Sequence, residues 1–130
     1  MKLKALIIED NEQNMYMLTF LLKANNYDVI QTFNGTDGIK TALTTNPDVI
    51  LLDIQLPEID GYQVAEELRK EPGMADVPII AVTSHAMVGD REKAIKSGAT
   101  GYIEKPIDPV NFIQRMEACF SDDLIQRRNQ

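Results

Sequence analysis

Five short apolar runs alternate along the chain with stretches whose apolar residues recur every three or four positions. The runs are Leu3 to Ile8, Asp28 to Thr32, Asp48 to Leu52, Pro78 to Val82 and Thr100 to Ile103. The first, third and fourth are nearly unbroken Leu, Ile, Val and Ala, as in parallel strands covered on both faces. The second is mixed, which suits a strand near the sheet edge. The helical stretches carry Met15, Leu18 and Leu22; Ile39, Ala42 and Leu43; Val64 and Leu68; and Ile113, Met116 and Phe120. One more, Val88 to Lys96, has only a thin stripe on Ala94 and Ile95, so it is expected to be held less tightly. Asn46-Pro47, Glu71-Pro72-Gly73, Val77-Pro78 and Ser97-Gly98 stop helices before the next strand. Strict alternation predicts an α/β fold: a doubly wound five-stranded parallel sheet with five helices and right-handed crossovers. Residues 1–121 read as the domain. Residues 122–130 lose the apolar period and are expected to form a polar tail or the start of a linker.

At 130 residues the chain suffices for one hydrophobic core. A net charge of −7 argues against general binding to nucleic acid or anionic membrane, which needs a basic face. No apolar run approaches the roughly 20 residues that span a bilayer. The opening Met1-Lys2-Leu3-Lys4 leads into a short buried strand rather than a signal peptide. The single cysteine, Cys119, excludes an internal disulfide, and a cytoplasmic location is the simplest expectation.

Chemistry concentrates where the apolar runs end. Glu9 and Asp10 follow the first run, Asp53 the third, Thr83 the fourth and Lys105 the fifth. Open parallel sheets bind ligands outside the carboxyl ends of their strands, at the point where strand order reverses. The second run ends in Thr32-Phe33-Asn34 and offers no comparable group, as expected if it lies outboard of the first. The order is then 2-1-3-4-5, a flavodoxin-like arrangement. Three carboxylates at one crevice repel one another, by about 4 kcal/mol for a pair 4 Å apart at an effective dielectric near 20. A divalent cation relieves this, and Mg²⁺ prefers hard oxygen ligands, water and phosphate oxygens. Asp53 could then act as a phosphoryl-accepting nucleophile, with Lys105 neutralising phosphate charge and the Thr83 hydroxyl donating a hydrogen bond. Singly, each residue has an ordinary reading: Asp10 or Asn11 as a helix N-cap, Asp53 and Lys105-Pro106 as turn residues, Thr83 as a strand end. Their convergence at four strand ends, skipping the edge strand, is harder to assign to chance. A metal-dependent aspartate phosphatase would need an acid two residues after Asp53, where Gln55 stands. Flavin phosphate would be repelled by Glu9-Asp10-Asn11-Glu12.

Glu9-Asp10-Asn11, Asp53-Ile54-Gln55-Leu56-Pro57 running to Asp60-Gly61, Ala81-Val82-Thr83-Ser84 and Lys105-Pro106 resemble the receiver domains of two-component response regulators. The similarity covers about residues 3 to 120 and is nearest to the stand-alone, cell-cycle type. It implies that Asp53 accepts phosphoryl from a histidine kinase or histidine phosphotransfer protein. It also implies that Glu9, Asp10, Asp53 and the Gln55 backbone carbonyl surround Mg²⁺, and that the Lys105–Pro106 bond is cis. Thr83 and Lys105 would contact the phosphoryl group. Thr83 and Tyr102 would form a switch that repacks the face of helix four, strand five and helix five for a downstream partner. The implied protein is a phosphoacceptor switch without substrate turnover, monomeric or dimerising on phosphorylation. Two positions depart from the common pattern, Leu56 where Met is usual and Ser84 where a small residue follows the switch hydroxyl. Gln55 and His85 flank the site and would tune phosphate lifetime.

Overall fold

The computed structural model describes residues 2–84 and 87–130, and His85 lies outside them. Five parallel strands, β1 (Leu3–Ile8), β2 (Tyr27–Thr32), β3 (Val49–Asp53), β4 (Ile79–Thr83) and β5 (Gly101–Glu104), form one sheet in the order β2-β1-β3-β4-β5. The order is the one expected, but three strands, β3, β4 and β5, end one residue later than the apolar runs. Asp53 and Thr83 are the last residues of β3 and β4 rather than the first residues beyond them. The backbone ladder continues past the apolar side chains, since Ile54 donates its N–H to the Val82 carbonyl at 3.2 Å and Lys105 to that of Thr83 at 2.7 Å. The register aligns the ends. Ile8 pairs with Leu52 and Leu52 with Ala81, so Glu9 and Asp53 leave the sheet at one level.

The sheet is buried on both faces, which is why its central strands are apolar throughout. One face packs Ile7, Leu51 and Val82 against α1 (Glu12–Ala24) and α5 (Phe112–Glu117). The other packs Ile8, Ile50 and Leu52 against α2 (Gly35–Thr45) and α3 (Gly61–Arg69). Leu18 and Leu22 on α1 are fully buried, each worth about 1.5–3 kcal/mol relative to exposure. Asn11 caps α1 by accepting the Asn14 N–H at 2.9 Å, and Asp60 with Gln63 forms a capping box on α3. Gly61 opens α3 because a Cβ there would sit 2.5 Å from the Asp53 carbonyl oxygen.

Helix α4 (Asp90–Ser97) begins two residues later than its pattern suggested, since Gly89 precedes it with no capping side chain. Only Ala94 of this helix is buried; Ile95 is exposed. Beneath it lies a small cluster of Ile54, Ala81, Ala94, Ala99 and Tyr102. Its far end is held by Arg69, whose guanidinium donates to the carbonyls of Gly98 at 2.8 Å, Met74 at 2.6 Å and Val77 at 2.7 Å, and to Thr100 Oγ1 at 3.1 Å.

The polar tail expected over residues 122–130 is instead largely a sixth helix, α6 (Asp122–Arg128). Ser121 caps it, Leu124 enters the core and Ile125 packs beside it. Arg127 meets Asp48 at 2.6 Å. Arg128 meets Glu117 at 2.9 Å, lies 4.6 Å from the Tyr27 ring centroid and donates to the Asn25 carbonyl. Two apolar positions are too few to show a period, but the docked arginines make the short helix part of the fold.

Candidate functional site

The carboxyl ends of β1, β3 and β5 deliver Glu9, Asp10, Asp53 and Lys105 to one crevice. Carboxylate oxygens of Glu9, Asp10 and Asp53 all lie within 4.8 Å of one another. Glu9 and Asp53 are buried, 1% and 4% exposed, while Asp10 faces solvent. Lys105 reaches between the two buried acids, with Nζ 2.8 Å from Glu9 Oε1 and 3.6 Å from Asp53 Oδ1. Its nearer partner is thus Glu9, a pairing that strand-end reasoning did not anticipate. The bond joining Lys105 to Pro106 is cis, as the motif implied.

The chain's local structure holds these carboxylates still. Glu9 Oε2 accepts the Asn11 N–H at 3.2 Å, and Asp53 Oδ1 accepts the Gln55 N–H at 3.1 Å. Burial and the neighbouring Glu9 carboxyl push the Asp53 pKa up to about 6, against the smaller opposing effects of Lys105 and the Gln55 N–H. Asp53 therefore stays mostly ionised at neutral pH while gaining basicity over an exposed aspartate. The all-oxygen donor set, with two buried carboxylates and one exposed, matches a small hard cation such as Mg²⁺.

Thr83 is buried at the end of β4 and lines a cavity of about 320 Å³ with Ile54, Gln55, Asp60, Tyr62 and Asp90. Ser84, next along, donates its hydroxyl to Gln55 Oε1 at 3.0 Å and so ties the β4–α4 loop to the β3–α3 loop. Read in sequence only as a departure from a family pattern, Ser84 is a cross-loop tether; a hydroxyl at a strand end facing an amide was its one visible signal. Tyr102 on β5 is 8% exposed and packs on the alanines under α4, its hydroxyl buried without a hydrogen-bond partner among the described residues. Burial pushes its pKa up, with Asp90 adding to the effect.

The family model for the response regulator receiver domain matches residues 5–117. The chain is 40% identical over 117 residues to the polar-differentiation response regulator DivK of Brucella anthropi, covering 90% of this chain and 95% of that protein. Among solved structures, the receiver domain of the sensor histidine kinase PA1611 from Pseudomonas aeruginosa, with a magnesium ion coordinated in its active-site cleft, is 30% identical at a TM-score of 0.83. The match covers 91% of this chain and 97% of that one. The chemotaxis response regulator CheY4 of Vibrio cholerae shares the fold at a TM-score of 0.87 and 22% identity, covering 92% of this chain and 100% of that one.

Proposed function

Because this chain belongs to the response regulator receiver family, a signalling switch of two-component systems, we propose that Asp53 is its phosphoacceptor and that Glu9, Asp10, Asp53 and the Gln55 backbone carbonyl hold Mg²⁺. The observation that carries the reading is the placement of Lys105 between two buried carboxylates, with a third carboxylate exposed beside them. When bound, Mg²⁺ supplies positive charge that relieves the acidic cluster and screens an incoming phosphoryl group. The Asp53 carboxylate attacks the phosphorus of a partner's phosphohistidine. An O–P bond forms as the N–P bond breaks, and the imidazole leaves with the electron pair. Lys105 balances charge on the transferred oxygens, and the Gln55 N–H keeps Asp53 oriented for attack.

The Thr83 hydroxyl then hydrogen-bonds the phosphoryl group, and Tyr102 follows it, altering the face of α4, β5 and α5. Moving a surface from mostly inactive to mostly active takes about 5 kcal/mol of differential stabilisation. One charge-assisted hydrogen bond gives about 1.5–3 kcal/mol, so Thr83 and Lys105 act together. Residues 1–121 form the phosphoacceptor domain in this reading, and α6 is an addition to it. The phosphoryl donor is a histidine kinase or histidine phosphotransfer protein in the cytoplasm, and the chain binds its target without turning over a substrate. It works as a monomer or as a phosphorylation-dependent dimer.

Intact mass after incubation with acetyl phosphate and Mg²⁺ tests the assignment. One added phosphoryl group, absent in Asp53→Asn and without Mg²⁺, is expected. An unchanged mass with every donor, or full labelling of Asp53→Asn, overturns it.

A further inference from the structure

Two cavities run along the seam between α4, β5 and α5. The outer one, about 190 Å³, is lined by Met87, Arg91, Glu92, Tyr102, Glu104 and Arg115. The inner one, about 250 Å³, shares Arg91, Tyr102 and Arg115 and adds Gly101, Ala118 and Cys119. Three residues line both, so the cavities adjoin along one groove. In a chain of net charge −7, the charged residues among the inner cavity's described lining are two arginines, with no carboxylate among them. Both guanidiniums are exposed. The ion pairs among the described residues use Lys70, Lys105, Arg127 and Arg128, leaving Arg91 and Arg115 unpaired. At the back of the groove stands the buried Tyr102 hydroxyl, which has no partner among the described residues.

We propose that this groove seats a carboxylate-bearing segment of a partner protein, an acidic side chain lying between Arg91 and Arg115 and an apolar neighbour resting against Met87 and Ala118. Guanidinium forks match the two oxygens of a carboxylate. Glu92 and Glu104 flank the outer cavity and would repel a more highly charged phosphate, so a singly charged carboxylate fits better. They also set direction, since the acidic residue must enter the inner cavity where no like charge faces it. The Tyr102 hydroxyl is placed to donate to the same carboxylate. The inference deepens the proposed switch and rests on the reading that α4, β5 and α5 form its responsive face, because Tyr102 belongs to both.

The test is a titration of the full, ¹⁵N-labelled chain with an end-capped peptide of alternating Glu and Leu, beside its Gln-Leu counterpart. Amide shifts at residues 91, 101–104 and 115–119 are expected with the Glu peptide, weakening as salt rises beyond about 0.1 M. Affinity should fall about tenfold in Arg91→Ala/Arg115→Ala, and less in Arg91→Lys/Arg115→Lys, which keeps the charges. Unperturbed shifts outside the groove verify that the variants fold. Equal binding of the two peptides, shifts elsewhere, or no loss in the alanine pair overturns the seat. So does self-association of the chain through these residues that the Glu peptide cannot displace. Running the titration with and without acetyl phosphate separates the two readings. Peptide binding indifferent to phosphorylation keeps the seat and sinks the switch; phosphorylation shifts at these amides without peptide binding do the reverse.

Discussion

The two ends of the sheet handle charge in opposite ways. At the amino ends of the strands, each carboxylate that meets α6 is matched. Asp48 accepts from Arg127 and from the Lys4 N–H, and Glu117 accepts from both Tyr27 at 2.5 Å and Arg128 at 2.9 Å. At the carboxyl ends, Glu9, Asp10 and Asp53 gather around the single ammonium of Lys105. One end is neutralised within the protein; the other sets three carboxylates against one ammonium. The difference teaches that acidic residues in one small fold serve as fasteners or as a receptor, depending on whether the chain itself supplies the counter-charge.

Removing the buried Lys105 ammonium should disturb the receptor end most. Lys105→Met is expected to lower stability by about 3–5 kcal/mol at neutral pH, because Glu9 and Asp53 would then face each other unpaired. In urea denaturation the loss should shrink near pH 5, where a carboxyl can take up a proton, and Mg²⁺ should restore part of it at neutral pH.

Asp53→Asn is expected to act in the opposite direction, raising the stability of the metal-free protein at neutral pH by about 1–3 kcal/mol. The sign follows from the raised pKa. Folded Asp53 keeps its proton up to about pH 6, whereas an exposed aspartate releases it near 3.8. Its favourable contribution is therefore complete below about pH 4 and is lost as pH rises through 6. Wild-type protein without metal should lose stability across that window, and the Asn variant should lose much less. A flat wild-type profile in pH-dependent denaturation would break the contrast between the two ends.

Smaller effects belong to the fastened end. Arg128→Ala should cost about 1–2 kcal/mol, since it removes an ion pair, a ring contact and a donor to the Asn25 carbonyl together. Arg127→Ala should cost less than about 1 kcal/mol, its side chain being 52% exposed. If α6 amides exchanged as fast in the wild type as in Arg128→Ala, the helix would not be fastened at all.

Which parts could be read from residues alone follows from how many neighbours each needs. β1, β3 and β4 were legible because burial on both faces demands unbroken apolar runs, and the edge position of β2 followed from its mixed composition. Glu9, Asp10, Asp53, Thr83 and Lys105 stood out as polar residues ending apolar runs, and the structure brings the three acids and Lys105 into one crevice. What stayed hidden depends on partners far along the chain. Helix α6 rests on Asp48, Asn25, Tyr27 and Glu117, none of which a local period reveals. The Ser84–Gln55 tether and the preference of Lys105 for Glu9 are distances between loops, set by strand register rather than by composition.

The Arg69 guanidinium carries a mechanical consequence. Its bonds to Gly98, Met74, Val77 and Thr100 rivet the last turn of α4 to α3 and to the approaches of β4 and β5. The opposite end starts at an uncapped Gly89 and sinks only Ala94 into the interior. Any displacement of α4 is then the swing of a lever about a fixed pivot at Gly98, greatest near Met87 and least beside Thr100. A spin label on the first turn should travel farther than one on the last, whatever drives the stroke.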